Sequence, residues 1–194
     1  MIIDPQIEKL SDEEIVDLTI KNQDFFIYLI NRYKIKLGYY INRLTNIRPE
    51  DIEDLLQEIF LKIYLNLNDF DHSLKFSSWI YSITHNQIIN NYRKIQARPE
   101  GHATAIDNDL IGRLASEFNI TAEIDQNYLN KNVSKILEQL KQKYREILVL
   151  KFFAEKDYQE ISDIIKKPIG TVGSMMNKAK QEFKKELEKQ KIKI

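Results

Sequence analysis

Asp54, Gln57 and Glu58 fall three and four residues apart, so on a helix they share one face. Like charges at that spacing repel by roughly 0.2–0.5 kcal/mol, so the face needs a reason. Solvation, a metal ion and a basic partner are the three that fit. A di-iron helical bundle requires histidine three residues after the glutamate, and Leu61 stands there instead. His72, His85 and His102 have no metal-like spacing, and without cysteine there is no disulfide, cysteine metal site or thiol nucleophile. Neither a phosphate-cradling glycine loop nor a nucleophile–base set is present. The side chains suit recognition rather than catalysis, so no enzymatic activity and no cofactor is expected.

Two further stretches carry recognition chemistry. In DHSLKFSSWIYSITHNQIINNYRK, residues 71–94, the rings of Trp79, Tyr81, Tyr92 and His85 alternate with Asn86, Asn90, Arg93 and Lys94. Stacking faces and amide edges together suit unpaired bases, although a lone tryptophan beside Ile80 and Ile83 is usually part of a core. In KKPIGTVGSMMNKAKQEFKK, residues 166–185, a Lys-Lys-Pro turn leads into a helix. Lys166 and Lys167 are positioned for phosphates, which give affinity without sequence information. Lys178, Lys180, Lys184 and Lys185 alternate with Glu182 and Glu186, as on an ordinary solvated face.

These residues need helices to hold them. Ser11 and Glu14 have the spacing of a capping box, opening a helix to about Asn22. A periodic segment spans Phe25 to Leu44, and Pro49 starts the next helix, with Glu50, Asp51, Glu53 and Asp54 suiting its positive end. There Ile52, Leu55, Ile59, Phe60, Ile63 and Leu67 form one apolar stripe. Ser77 or Ser78 opens another helix, along which Ile80, Ile83, Ile88 and Tyr92 recur. Residues 97–127 break the periodicity and read as a flexible acidic linker. Beyond it lie Tyr128–Leu140, Lys143–Phe153, Tyr158–Ile165 and a long final helix. Ile161, Ile164, Ile165, Ile169, Val172 and Met176 are spaced for a shared core, with Ser162 small enough for close crossing. That is the pattern of a helix-turn-helix, and a three-helix bundle with a lysine-rich end shares it.

The fold class expected is therefore all-α, as two small helical domains (residues 1–96 and 128–194) joined by the linker. Formal net charge is zero, but it is unevenly spread. Residues 1–96 hold 11 Lys/Arg against 14 Asp/Glu, residues 97–130 hold 2 against 6, and residues 131–194 hold 16 against 9. The basic end suits DNA and the acidic parts suit other work. The N-terminus lacks a signal pattern and no apolar run reaches membrane-spanning length, so a cytoplasmic protein is expected.

DLLQEIFLKIY (54–64), FSSWIYSITHNQIINNYRK (76–94) and DYQEISDIIKKPIGTVGSMMNKAKQ (157–181) resemble regions two and four of bacterial RNA polymerase sigma factors. The two-domain form resembles the extracytoplasmic-function group of the sigma-70 family. The resemblance implies a transcription initiation factor with core RNA polymerase and promoter DNA as partners, an anti-sigma factor being a further candidate. Asp54, Gln57 and Glu58 match the face that docks on the polymerase clamp helices. Lys75, Trp79, Tyr81, His85, Asn86, Asn90, Arg93 and Lys94 match the segment that captures flipped bases of the downstream promoter element. Lys166, Lys167, Thr171, Ser174, Met175 and Lys178 match the helix-turn-helix that reads the upstream element. The linker would run near the template path, its charge imitating nucleic acid. A regulator that never joins the polymerase, or an inactive decoy for an anti-sigma protein, are the competing readings.

The departures from the family pattern are specific. GTVGSMM stands where relatives often have GTVKSRL, so Gly173 and Met175 replace a lysine and an arginine. Ser82 and His85 stand at common arginine positions, and Asn90 at a common aspartate position. A bidentate arginine–guanine contact gives about 1–3 kcal/mol of discrimination, and none is available from this helix. Reading must fall to Thr171, Ser174 and apolar contacts with thymine methyls, helped by groove shape. We predict weak, A/T-tolerant recognition of the upstream element. A base-substitution series across that element tests this, and a strict guanine requirement would refute it.

Overall fold

The computed structural model describes residues 4–45, 47–96 and 135–189, all of whose regular structure is helical. Helices α1 (Asp12–Lys21), α2 (Phe26–Leu44), α3 (Pro49–Leu65) and α4 (Phe76–Gln96) form the N-terminal half. A helical stretch at 135–139 precedes α5 (Gln142–Phe152), α6 (Tyr158–Ile165) and α7 (Ile169–Lys189). The 97–127 linker expected from the sequence, and its boundary at 128, lie outside the described residues.

Local signals set the helix ends. Glu14 N–H donates to Ser11 Oγ at 3.2 Å and Ser11 N–H donates to Glu14 Oε2 at 2.7 Å, completing the expected capping box of α1. Pro49 occupies the first turn of α3, with Glu50 and Asp51 beside it. A second capping box, which the sequence analysis did not single out, opens α6: Asp157 and Glu160 exchange backbone-to-carboxylate bonds of 2.8 Å each.

The stripe on α3 is buried as expected, from Ile52 through Leu55, Ile59, Phe60 and Ile63 to Leu67 beyond the helix. It packs with Leu29, Leu37 and Ile41 of α2 and with Phe76, Ile80 and Ile88 of α4. Each such side chain contributes about 1.5–3 kcal/mol when removed from water. The start of α4 is held by Phe76 N–H donating to Glu13 at 2.9 Å. In the C-terminal half, Ile161, Ile164, Val172, Met176 and Ala179 are fully buried between α6 and α7. Ile169 is a correction: expected in that core, it is 50% exposed. As the first residue of α7 it lies past the end of α6, where the partner helix no longer covers it.

The two halves are in contact. α4 packs along α6, and α2 packs against α5. Buried Arg145 ties the preceding stretch down, donating to the carbonyls of Leu137 (2.8 Å) and Glu138 (2.7 Å).

The turn between α6 and α7 carries an unusual backbone. Lys166 sits in the left-handed region (φ 53°, ψ 50°), which costs a side-chain-bearing residue about 1–2 kcal/mol. Ser162 helps hold it: its hydroxyl donates to the Lys167 carbonyl at 2.6 Å, and Lys167 N–H returns a bond to the Ser162 carbonyl at 3.2 Å. Lys166→Gly is therefore expected to keep or raise the urea midpoint of unfolding. Lys166→Val is expected to lower stability by about 1–2 kcal/mol, because branching at Cβ worsens the same clash.

Candidate nucleic-acid interface

Three surfaces hold the candidate residues. On α3, Asp54, Gln57 and Glu58 are all exposed. Glu58 accepts from Gln87 Nε2 at 2.9 Å, linking this face to α4. Leu61 (60% exposed) and Leu65 (68% exposed) continue the row at helical spacing. Sequence reasoning missed these two. They stand inside an apolar pattern, but Ile59 and Ile63 turn inward and Leu61 and Leu65 turn out. The α3 surface is acidic at one end and apolar at the other. Among the described residues no group of three or more His, Asp or Glu could hold a metal ion, while His102 lies outside them.

The structure divides the α4 candidates between two faces. Trp79 is half-buried, its ring 5.5 Å from Phe70 and 5.6 Å from Phe76. Asn86 and Asn90, seven and eleven residues on, are exposed on the same side. That ring and those amides make the open face. The side chains of Arg93 and Lys94, at the end of α4, lie outside the described residues.

Tyr81 and His85 belong to the other face, against the C-terminal half. Tyr81 is buried, edge-on to Tyr40 at 5.1 Å, and burial pushes its phenol up to about 12. His85 Nδ1 meets the Glu146 carboxylate of α5, which also accepts from Tyr40 OH at 3.2 Å. Burial first, and then Glu146, hold the Tyr40 phenol well above its ordinary value. Lys75, just before α4, lies 3.3 Å from Glu160 and 3.7 Å from Asp157 of the α6 capping box. The hydrogen bond with Glu160 raises its amine above the ordinary lysine value.

On the C-terminal half, Thr171, Ser174 and Lys178 are exposed on the side of α7 away from Val172, Met176 and Ala179, while Met175 is half-buried and packs against the core. Lys166 and Lys167 are exposed in the turn before it. Ser174 Oγ donates to the Thr171 carbonyl at 2.9 Å, so the hydroxyl oxygen is left to accept. A Cβ added at Gly173 would meet nothing within 4 Å. The surface offers hydroxyls, one thioether and lysines, with no arginine among those residues.

Comparison with known proteins follows the same division. Residues 29–98 match the sigma-70 region 2 family and residues 131–183 match sigma-70 region 4. The chain is 29% identical over 190 residues to the ECF RNA polymerase sigma factor SigW of Bacillus subtilis, covering 93% of this chain and 98% of that one. It is 30% identical over 132 residues to the ECF RNA polymerase sigma factor SigM of the same organism, covering 68% and 77%. Its fold is similar to that of the sigma factor RpoE of Bartonella quintana, solved with the anti-sigma factor NepR, at a TM-score of 0.64 and 19% identity over 84% of this chain and 96% of that one. The helices, their two matched regions and these relatives agree that the chain belongs to the extracytoplasmic-function group of the sigma-70 family, transcription initiation factors that direct RNA polymerase to promoters.

Proposed function

We propose that the chain divides the work of initiation among the three surfaces. The acidic and apolar row on α3 docks on core polymerase through Asp54, Gln57 and Glu58, extended by Leu61 and Leu65. α4 holds unstacked bases of the downstream element: Trp79 supplies a ring, and Asn86 and Asn90 supply amide edges. α7 enters the upstream duplex, with Lys166, Lys167 and Lys178 on phosphates and Thr171, Ser174 and Met175 toward the bases. The observation that carries this reading is the exposure of those polar side chains on helices whose other sides form the core.

Opening a promoter means paying for unstacking, a few kcal/mol for a flipped base. Stacking on an aromatic ring returns about 1–3 kcal/mol per base, so Trp79 and the amides offset much of the cost. The chain performs no covalent step on this reading; phosphodiester formation belongs to the polymerase. Its work is in the cytoplasm, where the polymerase is, and among the described residues no helix is long and apolar enough to cross a membrane. An anti-sigma protein is a further partner on this reading, since the structurally similar RpoE was solved with one.

Run-off transcription with purified core polymerase on promoter-containing fragments tests the assignment. Defined transcripts are expected with the wild-type chain and are expected to vanish with Asp54→Lys/Glu58→Lys, which reverses the docking charges. Core binding without transcription would favour a decoy, and no core binding a free-standing regulator.

Gly173→Lys tests the reading helix separately. Glycine inside a helix costs about 0.5–1 kcal/mol relative to alanine, and the position has room for a side chain. The variant is expected to unfold at higher urea and to bind upstream-element duplex more tightly at low salt. Tighter binding that persists unchanged at high salt would contradict a phosphate contact.

A further inference from the structure

The C-terminal half carries an apolar groove that none of the three surfaces uses. It has a volume of about 370 Å³ and is lined by Leu137, Leu148, Phe152, Phe153, Lys180 and Phe183. Phe152 is 57% exposed, and the one charged group in that lining, the Lys180 amine, lies 5.8 Å from the centre of its ring. By helical spacing Lys180 and Phe183 fall on the side of α7 away from Thr171 and Ser174, so the groove and the base-facing side are separate. Exposed aromatic surface gathered in a concavity marks a place where another apolar element packs.

We propose that in the free chain this groove takes the chain's own residues 106–118. Ile106, Leu110, Leu114 and Phe118 recur every four positions, so a helix presents them in one row, with Ile111 beside it. Gly112 and the shortness of the segment make such a helix marginal in water, so it needs a surface to pack on. The tether favours this one. Phe118 is 17 positions before Lys135, and Lys135 is two before Leu137 of the groove. That length of chain spans at most roughly 55–60 Å and keeps the segment at an effective concentration on the order of millimolar. Charge favours it too. Asp107, Asp109 and Glu117 flank the apolar row against a single Arg113, and they complement Lys180 at the groove. A second copy packed groove to groove would instead set Lys180 against Lys180. Any other apolar helix must therefore displace residues 106–118 to use the groove. None of this depends on the promoter roles given to α3, α4 and α7.

Hydrogen exchange on the full chain, read by mass spectrometry, tests the occupancy. Amides of residues 106–118 are expected to exchange about tenfold or more slowly in the wild type than in Phe152→Ser/Lys180→Glu, with α2, α3 and α7 unchanged. That variant leaves the segment's own sequence intact, and both substituted side chains are exposed, so the fold is expected to hold. A second measurement uses Leu110→Ser/Leu114→Ser, which empties the groove from the other side. This variant is expected to bind a fluorescein-labelled peptide of residues 104–120 about tenfold more tightly than the wild type, whose tethered segment competes. Unprotected amides in the wild type, protection that survives the groove substitutions, or an equal peptide Kd would each overturn the proposal. Protection that falls on dilution from micromolar to nanomolar protein would assign the groove to a second copy, and would overturn it as well.

Discussion

A lysine amine drawn out of bulk water must be surrounded by oxygen or a ring face, and Lys156 finds both only where the two halves meet. Ser77 lies on one side, Glu160 on the other and the Tyr81 ring beneath. Burial lowers its tendency to carry a proton, and Glu160 opposes that. Removing one partner of such a pair is costly, because the remaining charge is stranded. The same carboxylate also completes the α6 capping box and faces Lys75. Helix start and domain contact thus hang on one small group of charges.

The α7 surface poses a different energetic problem. On the role proposed for it, sequence-independent lysine–phosphate contacts supply most of the affinity available to α7, and such contacts weaken steeply with salt. Discrimination must come from hydroxyls, methyl contacts and groove shape, each worth less than a bidentate guanidinium. A factor of this kind gains its selectivity from combination. Two modest readings at a fixed separation, both tied to one polymerase, multiply where neither would suffice alone.

Much of this was legible in the sequence, for reasons that differ by element. The Ser11–Glu14 box, the Pro49 start and the α3 stripe from Ile52 to Leu67 depend on neighbours three to four residues away, and a linear reading sees those. The Asp157–Glu160 box had the same signal and was passed over. Leu61 and Leu65 were hidden because an apolar run does not by itself say which members turn outward; only the packed core decides. Ile169 failed for the related reason that periodicity continues past the point where the partner helix ends. The division of α4 was beyond reach, since it depends on Glu146 and Glu160, 61 residues from His85 and 85 from Lys75. Nothing local records such pairs.

The vacancy at Gly173 has a consequence for how such proteins diverge. Nothing lies within 4 Å of where a side chain would start, at Gly173 and at Gly170 alike, while the opposite side of α7 is sealed by Val172, Met176 and Ala179. Side chains can therefore be added at Gly170 and Gly173 with no compensating change in the core. If this side of α7 reads promoters as proposed, a duplicated copy could change its selectivity by single steps, each leaving the scaffold intact. The fold separates what must be kept from what is free to vary.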